Sequence, residues 1–406
     1  MSRELDITVV RDALARVYAD ARVPIGAVAA VSHRGAAPAT VVLGTRTTDG
    51  APIDESAIFQ IASMTKPVTT VVALQLIEEG RLSLNAPIAE WIPELTRRQV
   101  LAVDAEATRA AHREITVEDL LTQRSGIPYA HDATGEVRRR MESELGPPLG
   151  GPHDPDEWVG RLRRIPQSFD PGARFQYGLS TDILGVLIRR ALGRGLGEVM
   201  AERVFGPLGM RDTGFRVRPQ DLPRLARMYR ATPDGPVDVS VVVSEPPVFE
   251  SGGGGLYSTV GDYLRFLGML RGSGAIDGVR LLSPESVAAI ATNRLTPAQR
   301  ALPALGADEY FATHGFGYGV AVLLEPESLP TRFRPGRGSY GWSGGFGTWW
   351  LIDPENDLQL VLMAQFETAT SPFVSTGVDG GRLGHFRRRD VIAFCEAVYR
   401  QIDTEP

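Results

Sequence analysis

Apolar residues recur at helical spacing near the start of the chain (Val9, Val10, Leu14, Val17, Tyr18), which predicts a helix there. Two short runs rich in alanine and β-branched residues, Gly26–Ser32 and Thr40–Leu43, predict strands. A brief apolar stretch, Ala57–Ile61, then leads into Val68–Ile77, which is apolar on nearly every side. A helix of that kind belongs in the middle of a fold, since a surface helix needs a polar face. Pro67 is tolerated in its first turn, where amides lack internal partners, and Gly80 after Glu78-Glu79 marks its end. Further helices are predicted at Val117–Gln123, Asp156–Arg164, Ser180–Ala191 and Leu196–Val204, with Thr116 and Asp119 spaced as a capping box before the first. Gly347–Asp353, the turn residues Pro354–Asp357 and Leu358–Met363 predict a β-hairpin, and Val391–Tyr399 a last helix.

Strands at both ends with helices between them predict one α/β (α+β) unit built from residues 1–90 and 250–406, with a mainly helical region, 91–249, inserted. Three segments, Glu94–Glu114, Tyr129–Pro155 and Leu295–Tyr340, are expected to be long and irregular. Loops of such length usually line sites, so they are expected to set the substrate.

Composition narrows the function. Hydrophobic residues make up 43% and charged residues 23% of 406, enough for a large core. The net charge of −6 argues against nucleic acid as a partner. There is no stretch of ~18 apolar residues, so no membrane span is expected. The first residues lack the basic-then-apolar layout of a signal peptide, so a cytoplasmic location is expected. The single cysteine, Cys395, falls in the last helix, where packing is its expected role. The histidines (His33, His112, His131, His153, His314, His385) show no metal-ligand spacing, and Gly252–Gly255 lacks the Lys-Ser/Thr ending of a phosphate loop. Neither a metal nor another cofactor is expected; the glycines read as tight backbone beside a site or at a strand bend.

Of the 43 basic residues, only Lys66 is lysine. Arginine does not lose its proton in a protein, whereas a desolvated lysine can, so a lone lysine in apolar surroundings is a candidate for proton chemistry. Ser63, three residues earlier, suits the start of the same helix and shares a face of its first turn. A hydroxyl at the positive end of a helix with an amine in reach has the form of a Ser-Lys nucleophile pair.

Ser63-Met-Thr-Lys66 fits the S-x-x-K motif, and with it the sequence resembles the serine β-lactamase and penicillin-binding protein superfamily. Among its members it is most similar to the carboxylesterases built on that fold (family VIII esterases), with related acyltransferases alongside. Further matching segments are Gly80–Asn85, Ile115–Gly126, Pro171–Tyr177, Pro207–Met210 and Gly252–Thr259, so the likeness spans about Pro24 to Phe366. It implies a β-lactamase/transpeptidase-like fold, a mainly antiparallel sheet flanked by helices, with the helical insert and the site in a cleft. The family's Y-x-N element stands here as Tyr177-Gly178-Leu179, keeping the tyrosine without the asparagine. By resemblance Tyr177 shares proton handling with Lys66. The K-T-G strand stands as Trp342-Ser343-Gly344, with tryptophan where a lysine would hold a lactam carboxylate. Both departures point away from penicillins and towards neutral esters. The resemblance assigns the oxyanion hole to the backbone amides of Ser63 and Gly345, with Trp342 and Gly344 at the substrate.

The implied activity is hydrolysis of esters with neutral, small to medium acyl groups through an acyl-enzyme, the partner being a small-molecule ester. An acyltransferase, a weak β-lactamase or D-amino-acid peptidase, and a β-lactam sensor or scaffold are the alternatives. One rival remains. Gly341-Trp-Ser343-Gly-Gly345 also fits the G-x-S-x-G elbow of other hydrolases, with His385 downstream, but an elbow serine precedes a helix and Ser343 precedes a predicted hairpin.

Overall fold

The computed structural model describes residues 5–19, 26–101, 107–133, 135–146, 153–301, 308–329, 334–366 and 388–402. Its main element is a seven-stranded antiparallel sheet. The strands are β1 (Ala27–His33), β2 (Ala39–Leu43), β3 (His314–Phe316), β4 (Ala321–Leu323), β5 (Tyr340–Gly344), β6 (Thr348–Asp353) and β7 (Leu358–Ala364), in the order β3-β4-β5-β6-β7-β1-β2.

β1 and β7 pair centrally, Ala27 opposite Ala364 and Val31 opposite Leu360, and both are buried along their whole length. Their uninterrupted apolar sequences follow from having both faces covered. Side chains alternate between faces. Ala29, Val31, Leu358, Leu360 and Leu362 meet helices α1 (Ile7–Tyr18) and α7 (Arg389–Ile402), where Cys395 is packed. Val28, Ala30, Val361 and Met363 face the other way, into a core that runs on through α2 (Thr65–Glu78) to the middle of the chain.

Every residue of α2 from Thr65 to Leu76 is buried. Several of its polar side chains are tied to neighbouring backbone: Thr69 Oγ1 donates to Gly252 O at 2.7 Å, Thr65 Oγ1 accepts from Leu256 N at 3.1 Å, and Gln75 Nε2 donates to Arg203 O and Leu281 O at 3.3 Å. Thr116 and Asp119 form the expected capping box. The middle also holds α3 (Gly135–Glu144), α4 (Pro155–Leu162) and α5 (Ser180–Leu192); α6 (Val260–Arg271) follows the glycine run and packs under β7.

The three segments expected to be irregular are more ordered than their sequences suggest. Leu295–Tyr340 contributes β3 and β4, Tyr129–Pro155 contains α3, and Glu94–Glu114 carries a small hairpin pairing Gln99–Leu101 with Thr108–Ala110. The strands are too short for a readable alternation, and α3 has only Val137 and Met141 buried. No helix among the described residues is long and apolar enough to cross a membrane.

Candidate active site

Ser63 lies in a 3₁₀ turn, Ala62–Met64, which runs into α2. The sequence suggested a cap at the helix start, but no side chain caps this turn, which leaves the Ser63 hydroxyl free for another partner. Ala62, just before it, has φ +45°, a left-handed conformation that costs an L-residue roughly 1–2 kcal/mol. The surroundings hold it there. Ile61 N donates to Leu256 O at 3.0 Å, Thr348 Oγ1 donates to Ile61 O at 3.1 Å, and Tyr263 OH donates to Met64 O at 2.9 Å.

Lys66, one turn along the same segment, is fully buried. Its Nζ lies 3.3 Å from Ser63 Oγ, 3.1 Å from Tyr129 OH and 2.7 Å from Gly253 O. Tyr177 is brought to the same place differently: its ring lies under the amine, 4.5 Å from Nζ to the centroid, and its hydroxyl accepts from Trp342 Nε1 at 3.0 Å. The phenol that hydrogen-bonds Lys66 is therefore Tyr129, whereas the motif pointed to Tyr177. Burial, with Asp182 and Tyr177 adding to it, pushes the Tyr129 phenol well above its ordinary value, so it stays protonated at neutral pH.

The glycine run is close backbone, as its composition suggested. Gly253 supplies the carbonyl for Lys66, and a Cβ on it would come within 2.4 Å of Asp182 Oδ2. The buried Asp182, in the first turn of α5, fixes this loop: its Oδ1 accepts from Ser251 Oγ at 2.5 Å and from Gly253 N at 3.1 Å. Burial raises its carboxyl above the ordinary value, and an ammonium at Lys66 opposes that rise.

Gly344 ends β5 and Gly345 opens the turn to β6. A Cβ at Gly344 would lie 2.4 Å from Ile61 O, so glycine there lets this turn close against the Ser63 segment. Gln365 accepts from Gln60 N at 2.8 Å and donates through Nε2 to Phe346 O at 3.3 Å, joining the same two pieces. The indole of Trp342 is wedged between Tyr177 and Phe316, with ring centroids 5.2 Å away on each side. Ser343, next along β5, pairs with Trp349 in mid-strand and points to the face opposite Trp342. His385 lies outside the described residues.

Beside Tyr129 opens a cavity of about 450 Å³, walled by Tyr129, Met141, Leu145, Trp158, Leu179 and Phe249, with Asp182 also in its wall. Trp342 is not among its lining residues. Sequence reasoning missed Tyr129, Asp182 and Gly253 as parts of one cluster. Tyr129 stood in a segment expected to set the substrate, and an acid in a helix's first turn reads as ordinary dipole compensation.

A family model described as beta-lactamase matches residues 11–376. The chain belongs to the β-lactamase family. Among its relatives, Protein Rv1367c of Mycobacterium tuberculosis (strain H37Rv) is 40% identical over 363 residues, covering 86% of this chain and 88% of that one. Esterase EstB of Burkholderia gladioli is 31% identical over 361 residues, covering 84% and 85%. The solved structure of EstCE1, a hydrolase with promiscuous acyltransferase activity, has a TM-score of 0.77, 21% identity and coverage of 97% of this chain and 98% of that one. That likeness establishes the β-lactamase/transpeptidase fold. The family name thus covers proteins named for ester hydrolysis as well as for lactam cleavage.

Proposed function

We propose that this β-lactamase-family protein is a serine hydrolase of carboxylic esters with neutral, small to medium acyl groups, working through an acyl-enzyme on Ser63. The observation that carries the reading is the buried Lys66 amine 3.3 Å from Ser63 Oγ. A neutral amine has two N–H groups and one lone pair. With the N–H groups directed to Gly253 O and Tyr129 OH, the lone pair faces the Ser63 hydroxyl.

On attack, Ser63 Oγ bonds to the ester carbonyl carbon while its proton passes to Lys66. The oxyanion is held by the backbone amides of Ser63 and Gly345. On collapse the bond to the leaving alcohol oxygen breaks, and that oxygen takes the proton back from Lys66. Water then repeats the sequence on the acyl-enzyme and frees the acid. Tyr129 keeps the amine oriented. Tyr177 places its ring face against Lys66 and stabilises the ammonium formed midway, an attraction worth roughly 0.5–2 kcal/mol.

The preference for neutral acyl groups is supported by Trp342. It stands where a lactamase lysine would, and its N–H is already given to Tyr177. The name of the relative EstB points the same way. The test is turnover of short p-nitrophenyl esters and of nitrocefin by wild type, Ser63→Ala and Ser343→Ala. Ester turnover is expected to fall by at least ~10³ in Ser63→Ala alone, with nitrocefin a poor substrate. Full ester turnover by a folded Ser63→Ala protein overturns the reading.

A further inference from the structure

A polar atom left without a partner on an almost wholly buried side chain calls for an explanation, and where it borders a cavity a ligand can supply one. Asp182 is 3% exposed. The two hydrogen bonds it receives from other residues, from Ser251 Oγ and Gly253 N, both reach Oδ1, and Oδ2 accepts from no other described residue. The surface it keeps is cavity wall, in the space of about 450 Å³ otherwise bounded chiefly by apolar side chains. Tyr129 is in the same wall and touches Lys66, which places this cavity one residue from the nucleophile pair.

The other titratable side chains at the cavity each have a partner, His131 lying 3.3 Å from Asp132. Arg138 Nε donates to Glu142 at 2.9 Å, and His153 lies 3.2 Å from Glu157. They do not call for a charged ligand. A cation would have to shed its water to enter a space bounded chiefly by apolar side chains. A neutral donor fits better.

We infer that the cavity receives the apolar acyl chain of the ester and that Asp182 Oδ2 accepts a hydrogen bond from a hydroxyl carried on that chain. The natural substrates are then hydroxyacyl esters. This rests on the Ser63 hydrolase reading. A hydrogen bond to a buried carboxylate is worth about tenfold or more in kcat/KM.

The experiment compares p-nitrophenyl alkanoates of increasing chain length with the same chains ending in a hydroxyl or in a methyl ketone. It uses wild type, Asp182→Asn and the cavity-filling Leu145→Trp. The hydroxyl chain is expected to be preferred by about tenfold at one length, and the ratio to fall towards one in both variants. If Asp182 serves only to hold the Gly253 loop, its loss slows both members of a pair alike and their ratio stays at the wild-type value, which overturns the inference. So does the absence of any hydroxyl preference in wild type, or a preference for the ketone. In each of these cases Ser63-dependent hydrolysis persists and the hydrolase reading stands. If wild type hydrolyses none of the esters, the hydrolase reading fails and takes this inference with it.

Discussion

Lys66 has three oxygens around one nitrogen and no solvent, so its replacement removes a base and strands its partners together. Lys66→Met is expected to lower kcat for ester hydrolysis by roughly 10²–10⁴, read from initial rates on a p-nitrophenyl ester with folding checked by circular dichroism. Tyr129→Phe and Tyr177→Phe should separate two roles. Loss of the Tyr129 hydroxyl removes a bond to Lys66 and is expected to lower kcat by about tenfold with little change in KM. Tyr177→Phe removes the buried hydroxyl that accepts from Trp342 Nε1, so it should lower stability by about 1–3 kcal/mol in urea unfolding. Ser63 and Lys66 were legible in the sequence because their types and spacing are local. Tyr129 was not, because its contact with Lys66 crosses 63 positions that no periodicity links.

At the level of elements, the N-terminal end of α7 fixes the turn that carries Gly345. Arg388, fully buried, donates through Nη1 to Thr348 O at 3.0 Å and through Nη2 to Gly347 O at 2.8 Å. It is paired with the buried Asp390 at 2.6 Å, and Tyr18 of α1 donates to that carboxylate at 3.0 Å. Arg388→Met leaves the Asp390 charge uncompensated and is expected to cost about 3–5 kcal/mol, measured by urea unfolding. A second element-level prediction concerns pH. His314, at the start of β3, is stacked on Tyr310 with centroids 4.0 Å apart, and burial lowers its imidazole from the ordinary 6.5 to about 4. The unfolded chain therefore takes up the proton more readily between these values. The His314 contribution to stability is full above pH 6.5 and is lost as pH falls towards 4. In His314→Phe the drop in stability between pH 7.5 and 5 should shrink by about 2 kcal/mol. The apolar α2 and the late hairpin were readable as elements because each carries a long, consistent pattern. β3 and β4, three residues each and interleaved with Gly315, Gly317 and Gly319, carry none.

In the whole molecule, β1 from one end of the chain is hydrogen-bonded between β2 and β7, and one continuous core extends from that sheet through α2 into the helical middle. The helical middle therefore has no separate core to stand on. Urea unfolding followed by tryptophan fluorescence, which samples Trp91 and Trp158 in the middle and Trp342, Trp349 and Trp350 in the sheet, is expected to coincide with the loss of helical circular dichroism in one transition. Two separated transitions would show that the two regions are independent. That strands at both ends belong to one sheet followed from their order along the chain; which strands pair did not, because apolar runs buried on both faces carry no register.

The fully sealed position of the only lysine has a practical consequence. Reagents that acylate primary amines find no accessible side-chain target on this protein, so they leave its surface unmodified apart from the chain's terminal amine. Modification of Lys66 then requires the packing over it to open. Its extent of labelling over time, followed by mass spectrometry, reports how often that pocket breathes, and a bound acyl group should slow it.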